Sequence, residues 1–426
     1  MPSPARTHAS SSTGPMNSSS PTTSPAAGSE ERARPSLSAS LVLLAPLSSG
    51  AQGGFDYRVL LLKRHAQSRT YDSAHVMPGG NIDPIDLDTA AWSSLFPSST
   101  SSAPSTSPGL TAAELQSLKI CAVRETFEES GLLLLEPATN ASGTSAQHAW
   151  NALPAEDKTR WREEVHKDGK RFLDLLKMLG DDAKPALSSL THWSRWITPV
   201  ILPRRFDTHF FIAVLPPSFS PASPHAPTHE SLVSSDGVET SSADWLTPLE
   251  AIARAVAYTD ELTTATLAPS PSSSSNAGPI ILHPPQFNLM AELACNHRSL
   301  ASLVGPPSSP GDPAAAPVVR PRRVVPLTPQ IAQVIDGQGR ERRATLLPGD
   351  DEYTYEAGAG LDEVKALVEE GGSGKGRRNR SYVLAPRKGQ IGLTVEGCLR
   401  ENVVDVLGEG WEDMRAGDSG RPLPKL

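Results

Sequence analysis

The chain has 426 residues with 39 Lys and Arg against 47 Asp and Glu, so its formal charge of −8 gives no global pull toward nucleic acid. Its 40 prolines and 32 glycines, with serine in runs, mean that much of the length cannot pack into a core. Cys121, Cys295 and Cys398 are odd in number and far apart, which argues against a disulfide framework and suits a reducing compartment.

Residues 1–35 read as disordered, and 97–108, 216–235, 264–279, 304–318 and 371–380 share that composition as loops and insertions. Residues 39–46 and 57–64 read as strands. The apolar run "SLVLLAPL" is far shorter than the roughly 20 residues of a membrane span, so no membrane partner is expected. A helix is predicted over 111–130, and one or two helices over 160–179 with the break at Gly169. "SRWITPVI" and "THFFIAVLP" read as strands. Thr247, with Glu250 three residues on, opens a helix over 247–257. "LHPPQFNLMAELACNHRSLA" predicts a helix after a proline turn. Residues 319–403 look strand-rich in "RRVVPL", "RRATLLPGD", "RSYVLAP" and "IGLTVEG". Strands mixed with helices give an α/β (α+β) core. The division is a disordered segment 1–35, a main domain 36–260 with an insertion at about 87–110, a linker 261–280 and a C-terminal extension 281–426.

The helix at 111–130 carries the chemistry. Thr111 and Glu114 form a capping box, and Gly131 stands where a left-handed cap is wanted. Ile120, Val123 and Phe127 share one side and suit a core. Glu125, Glu128 and Glu129 fall within an arc of about 100° on the opposite side. Such like charges repel, Glu125 and Glu129 directly as an i,i+4 pair, and a divalent cation would remove the repulsion. Arg124, one turn before Glu128, is placed to orient a carboxylate or contact an anion. The bland alternative is a solvated acidic face.

At these residues the chain resembles the Nudix hydrolases, whose box is written GX5EX7REUXEEXGU with U aliphatic. Arg124, Glu125, Glu128, Glu129, Gly131 and Leu132 match its second half, with Thr126 at the first U position. Gly80 in "MPGG" matches the first half, and Asp86 stands where the box glutamate should be. Thirty-seven residues separate Asp86 from Arg124 where the box has seven. Asp83, Asp86 and Asp88 are all candidates for the box acid. An insertion here is similar to that of the peroxisomal coenzyme A diphosphatase branch. So are the blocks "VLLLKR", "AHVMPGGNID", "HWSRWITPVILPRRFDTHFF", "DWLTPLEA", "HPPQFNLM" and "LLPGDDEY".

The resemblance implies a mixed sheet between helices and hydrolysis of the diphosphate of coenzyme A or acyl-coenzyme A. It implies that Glu125, Glu128 and Glu129 bind Mg²⁺ or Mn²⁺, with Glu125, Glu128 and Arg124 as the catalytic set. Gly79 and Gly80 would offer a close-approach loop, and Glu239 or Asp244 a further acid. Arg204 and Arg205 lead as substrate contacts, ahead of Lys63 and Arg64, although two arginines at a strand start are also commonplace. The branch suggests peroxisomes and an import receptor reading Pro424-Lys425-Leu426; cytoplasm and mitochondria are the alternatives.

Other signals are weaker. The basic run "GKGRRNR" (374–380) reads as a solvated loop, while keeping a capped RNA in view as a substrate. Trp193 and Trp196 read as sheet residues and His65, His75, His192 and His209 as structural or surface groups. Cys121 reads as packing. The competing functions are a Nudix hydrolase of ADP-ribose, a dinucleotide or capped RNA, and a Nudix-fold binding protein without turnover.

Overall fold

The computed structural model describes residues 34–47, 54–65, 73–96, 109–137, 146–181, 183–202, 204–215, 233–234, 239–264, 280–305, 317–355, 362–370, 378–384 and 394–401. Most of the six Ser/Pro-rich passages and the Pro424-Lys425-Leu426 terminus fall outside these residues.

The sheet is organised by β1 (Ser36–Pro46). Its side chains alternate between two cores, as a period of two demands. Leu41 and Leu43 enter the core under the acidic helix, and Val42 and Leu44 enter the core on the other face. A strand buried on both faces reads as a near-continuous apolar run, which is why "SLVLLAP" is legible as a strand. It pairs antiparallel with β2 (Tyr57–Arg64), but only over Leu44–Pro46. Beyond that point the two strands part. Strand β3 (His75–Val76) pairs with β2 and β4 (Gly79–Asn81) pairs with β1, so "HVMPGGN" wedges into the split. The Pro78 carbonyl accepts from Leu41 N at 2.8 Å and from Ser40 Oγ at 2.9 Å, which fixes the wedge.

Two four-residue helices follow, α1 (Pro84–Leu87) and α2 (Thr89–Trp92), capped by Asp83 and Asp88. Trp92 and Leu95 are buried although they fall within the expected insertion, and Trp92 Nε1 donates to Ile85 O at 2.8 Å. The Ser/Pro-rich run 97–108 itself lies outside the described residues. The acidic helix is α3 (Ala112–Ser130), with the expected Thr111–Glu114 capping box and Gly131 in the left-handed region at φ +77°. Helices α4 (Ala146–Ala152), α5 (Ala155–Lys167) and α6 (Lys170–Leu179) come next, the last two divided at Asp168–Gly169.

Strand β5 (Thr191–Ile197) ends before Pro199, earlier than expected, because a proline cannot donate to a ladder. Strand β6 (Phe206–Val214) runs parallel to β1, and β7 (Thr240–Leu246) pairs with β2. The β7 sequence "TSSADWL" has no apolar alternation and was not expected to be a strand; only its neighbour makes it one. With β8 (Pro326–Leu327) the sheet runs β3-β2-β1-β6-β5-β8, mixed in direction.

Helices α7 (Pro248–Thr264) and α8 (Pro284–Asn296) cover the face opposite α3, followed by α9 (Leu300–Leu303). An antiparallel meander of β9 (Gln330–Ile335), β10 (Glu341–Leu346), β11 (Arg378–Leu384) and β12 (Thr394–Glu401) shares their core, with α10 (Asp362–Glu370) between its middle strands. Val334, Leu346, Tyr382 and Val395 pack in one cluster with Ile212 and Met290, so the extension has no core of its own. One expectation fails here. The end of the basic run is not a solvated loop: Arg380 is 2% exposed on β11 and makes a two-point pair with Asp350 at 2.7 and 2.6 Å. Trp193 and Trp196 are core residues, Trp193 beneath the Arg322 guanidinium.

Candidate active site

The split between β1 and β2 brings the glycine loop against the second half of α3. Gly79 N donates to Glu129 Oε2 at 2.9 Å. A Cβ built on Gly80 would lie 2.5 Å from the Glu125 carboxylate. Glu125 and Glu129 therefore lie against the glycine backbone, with Glu128 beside them, as their helical spacing allows. They are not a solvated face: Glu128 is 6% and Glu129 3% exposed.

Arg124 ties this group together. Its Nε and Nη2 donate to Asp86 Oδ1 and Oδ2 at 3.0 and 2.8 Å. Its Nη1 lies 3.0 Å from Glu125 Oε1 and donates to Glu128 Oε1 at 2.5 Å. Its Nη2 also reaches the Asn81 carbonyl at 3.2 Å. Of the three candidate aspartates, Asp86 alone binds Arg124 through both oxygens; Asp83 caps Ile85 N and Asp88 caps Ala91 N. Cys121 is fully buried beneath the loop, its Sγ 3.5 Å from the Asn81 carbonyl.

The remaining candidates divide. Arg64 Nη2 lies 3.7 Å from Glu239 Oε2, and Glu239 is close enough to repel both Glu128 and Glu129. Asp244 pairs in register with Leu61 and stands 3.9 Å from His75 Nε2. Lys63 is opposite His75. Arg204 is exposed, and Arg205 Nε donates to Thr198 O at 3.1 Å, in the turn before β6. That turn joins Phe206, opposite Ser36, whereas Gly79 is opposite Ser40. Four residues along β1 is about 13 Å, so the two arginines stand away from the glutamates. His192 and His209 form a buried stack with His192 Nε2 and His209 Nδ1 3.1 Å apart.

Residues 100–262 match the model of the NUDT19 Nudix domain. The acyl-coenzyme A diphosphatase NUDT19 of Gallus gallus is 33% identical over 62% of this chain and 69% of its own length. The chain belongs to the Nudix family, in its NUDT19 branch. The proteins of the same name in Xenopus laevis and Homo sapiens are each 35% identical, over 46% and 39% of this chain. Those matches span 54% and 50% of the two relatives, about half their length. A Nudix hydrolase of Alicyclobacillus acidocaldarius superposes with 20% identity and a TM-score of 0.38, covering 62% of this chain and 92% of the other.

Nudix hydrolases generally depend on a divalent metal, and the chemistry of the site suits one. Its three glutamates offer oxygen donors, and Asp86, Glu125 and Glu128 share the guanidinium of Arg124. Among the described residues no three acidic, His or Cys side chains are already arranged to hold a metal ion. Instead Glu125 and Glu128 turn to Arg124, and Glu129 to the Gly79 amide. Turning a terminal carboxylate is easy, because that torsion has a broad well.

Burial pushes the Glu125 carboxyl up to about 8 and that of Glu128 up to about 7, against the pull of Arg124. Burial likewise raises Glu129 well above the usual carboxylate range, opposed by the Gly79 N–H. The sequence reading missed Arg162 and His166 of α5. Arg162 Nε donates to the Glu128 carbonyl at 2.5 Å, and His166 Nδ1 lies 3.4 Å from Glu128 Oε2. Their i,i+4 spacing on a helix was the available signal.

Two expectations follow from this geometry. A Cβ on Gly79 would meet backbone, Ala39 O at 2.5 Å and Ser40 Cα at 2.6 Å, whereas one on Gly80 meets only a movable carboxylate. Gly79→Ala should lose about 1–3 kcal/mol in urea unfolding. Gly80→Ala should lose less stability than Gly79→Ala, because a side chain yields in place of backbone, yet bind Mn²⁺ at least ~10-fold more weakly by calorimetry. The second concerns pH. A carboxylate raised on folding binds its proton more tightly in the native state, so its stabilising contribution is full below about 4.5 and is lost as pH rises through 7 to 8. With chelator present, the unfolding midpoint should fall between pH 7 and pH 8.5, above the range in which His75, His192 and His209, held neutral by burial, weaken the fold by resisting protonation. Added Mg²⁺ should raise it more at the higher pH.

Proposed function

We propose that the chain is a divalent-metal-dependent diphosphatase that splits coenzyme A or acyl-coenzyme A into 3′,5′-ADP and 4′-phosphopantetheine or its acyl form. The observation that carries this reading is the set of three glutamates, Glu128 and Glu129 buried and Glu125 partly buried, delivered by one helix onto a glycine backbone, in a chain related to proteins named acyl-coenzyme A diphosphatases. When bound, Mg²⁺ or Mn²⁺ would supply charge neutralisation on the phosphoryl oxygens and activation of a water. Glu125, Glu128 and Glu129 would hold it. Arg124 sets the orientation of Glu125 and Glu128, and the Gly79 N–H sets that of Glu129. One of these glutamates, or a carboxylate oxygen left free by the cation, is assigned as the acceptor of the proton from the attacking water. We assign the diphosphate to the Arg64 side of the site. Arg204 and Arg205, about 13 Å along the strand, are assigned to the 3′-phosphate of an extended substrate. A capped RNA is less favoured, because Arg380 of the basic run is committed to Asp350.

The assay offers acyl-coenzyme A, ADP-ribose and capped RNA to the purified chain with Mg²⁺. Glu128→Gln and Glu129→Gln should each lower release of 3′,5′-ADP by about 10²–10⁴-fold. Turnover of capped RNA alone would sink the reading, and turnover of nothing would favour a binding protein. Peroxisomal residence belongs to the same proposal. A fluorescent fusion should lose its punctate pattern when Pro424-Lys425-Leu426 is removed, and an unchanged pattern would remove the import-receptor part.

A further inference from the structure

Helix α5 reaches the site from a part of the chain outside the motif, and its register is tightly determined. Val165 is 1% exposed and enters the core beside α3. Arg171 of α6 grips Glu164 through Nε and Nη2 at 3.1 and 2.5 Å, and stacks over Trp161. At the turn between the two helices, a Cβ on Gly169 would lie 3.1 Å from Asp83, so the hairpin is seated against the cap of α1. This leaves Arg162 and His166, one turn apart, facing the end of α3.

Both grip Glu128. Arg162 Nε takes the Glu128 carbonyl, an acceptor that the terminating helix leaves without an intrahelical partner, and brings a cation to the helix C-terminus. Its Nη1 donates to Ser234 Oγ at 3.0 Å, and Ser234 N donates to Ser130 O at 3.1 Å. One turn on, His166 Nδ1 lies 3.4 Å from Glu128 Oε2 while Arg124 holds Oε1. The Glu128 carboxylate is thus bracketed by a guanidinium on the buried side and an imidazole on the open side, the latter 37% exposed.

We propose that His166 is a positioning residue of the site: it sets the orientation of the Glu128 carboxylate and so its affinity for a divalent ion. The inference rests on the diphosphatase reading only for its consequence in turnover; the contact with Glu128 stands without it. Arg124 takes one oxygen of Glu128 and the imidazole stands beside the other, so the two groups together fix the plane of the carboxylate. Outer contacts to metal-binding carboxylates commonly matter in this way.

The test titrates wild type, His166→Ala and His166→Asn with Mn²⁺ alone, and then measures acyl-coenzyme A hydrolysis at saturating Mn²⁺. His166→Ala should weaken Mn²⁺ binding by about 10–100-fold. It should lower kcat while leaving KM unchanged. His166→Asn, whose amide N–H reaches the same oxygen, should recover most of both. As His166 is partly exposed, the metal-free variants should melt within about 2 °C of wild type. Unchanged Mn²⁺ affinity in His166→Ala overturns the proposal, whatever the rate does. Equal losses in both variants with a lowered melting temperature also overturn it, since that marks a packing role. If wild type splits no diphosphate but His166→Ala still binds Mn²⁺ more weakly, the functional reading fails and this inference stands.

Discussion

The Arg124 guanidinium is shared by Asp86, Glu125 and Glu128 in a setting where it is only 3% exposed. Acids gathered at one helix end would be prohibitive in a low dielectric without it. It does three jobs at once. It locks Asp86 and the α1 turn onto α3, aims two of the three glutamates, and ties the Asn81 carbonyl of the glycine loop to the same point. Removing one partner of such a set strands the others as buried charges, so this network is where the fold and the site are least separable.

The Arg124–Asp86 contact also explains how the chain tolerates a long passage inside its motif. Closing a loop of 37 residues instead of seven costs about 1.5 kcal/mol more. A two-point buried ion pair, Trp92 in the core and the cap at Asp83 together offset a term of that size. The two halves of the motif meet because the split between β1 and β2 admits the glycine loop on one side while α3 packs under β1 on the other.

Much of the site was legible in the sequence. The cap at Thr111, the stop at Gly131 and the i, i+3, i+4 spacing of the glutamates are local features, and local features survive folding unchanged. The resemblance to Nudix hydrolases rested on those same residues. What escaped notice depends on partners distant in the chain. Strand β7 exists because β2 offers it a ladder, α5 matters because its register meets Glu128, and Arg380 left its basic run for Asp350. Arg204 and Arg205, expected as substrate contacts, stand about 13 Å along β1 from the glycine loop, a separation that only the strand register fixes.

By itself the sequence determined a capped helix presenting three carboxylates on one side, a glycine pair able to approach them, and a mixed strand-and-helix core, because each follows from covalent spacing and side-chain size. Only the tertiary structure decided that the acidic side is buried, that Asp86 rather than Asp83 or Asp88 takes Arg124, and that α5 closes the wall with Arg162 and His166. The physical reason is the same in each case. Burial and charge pairing are set by what packs across the gap, and residues dozens of positions apart can be brought within 3 Å only when the whole sheet is in place.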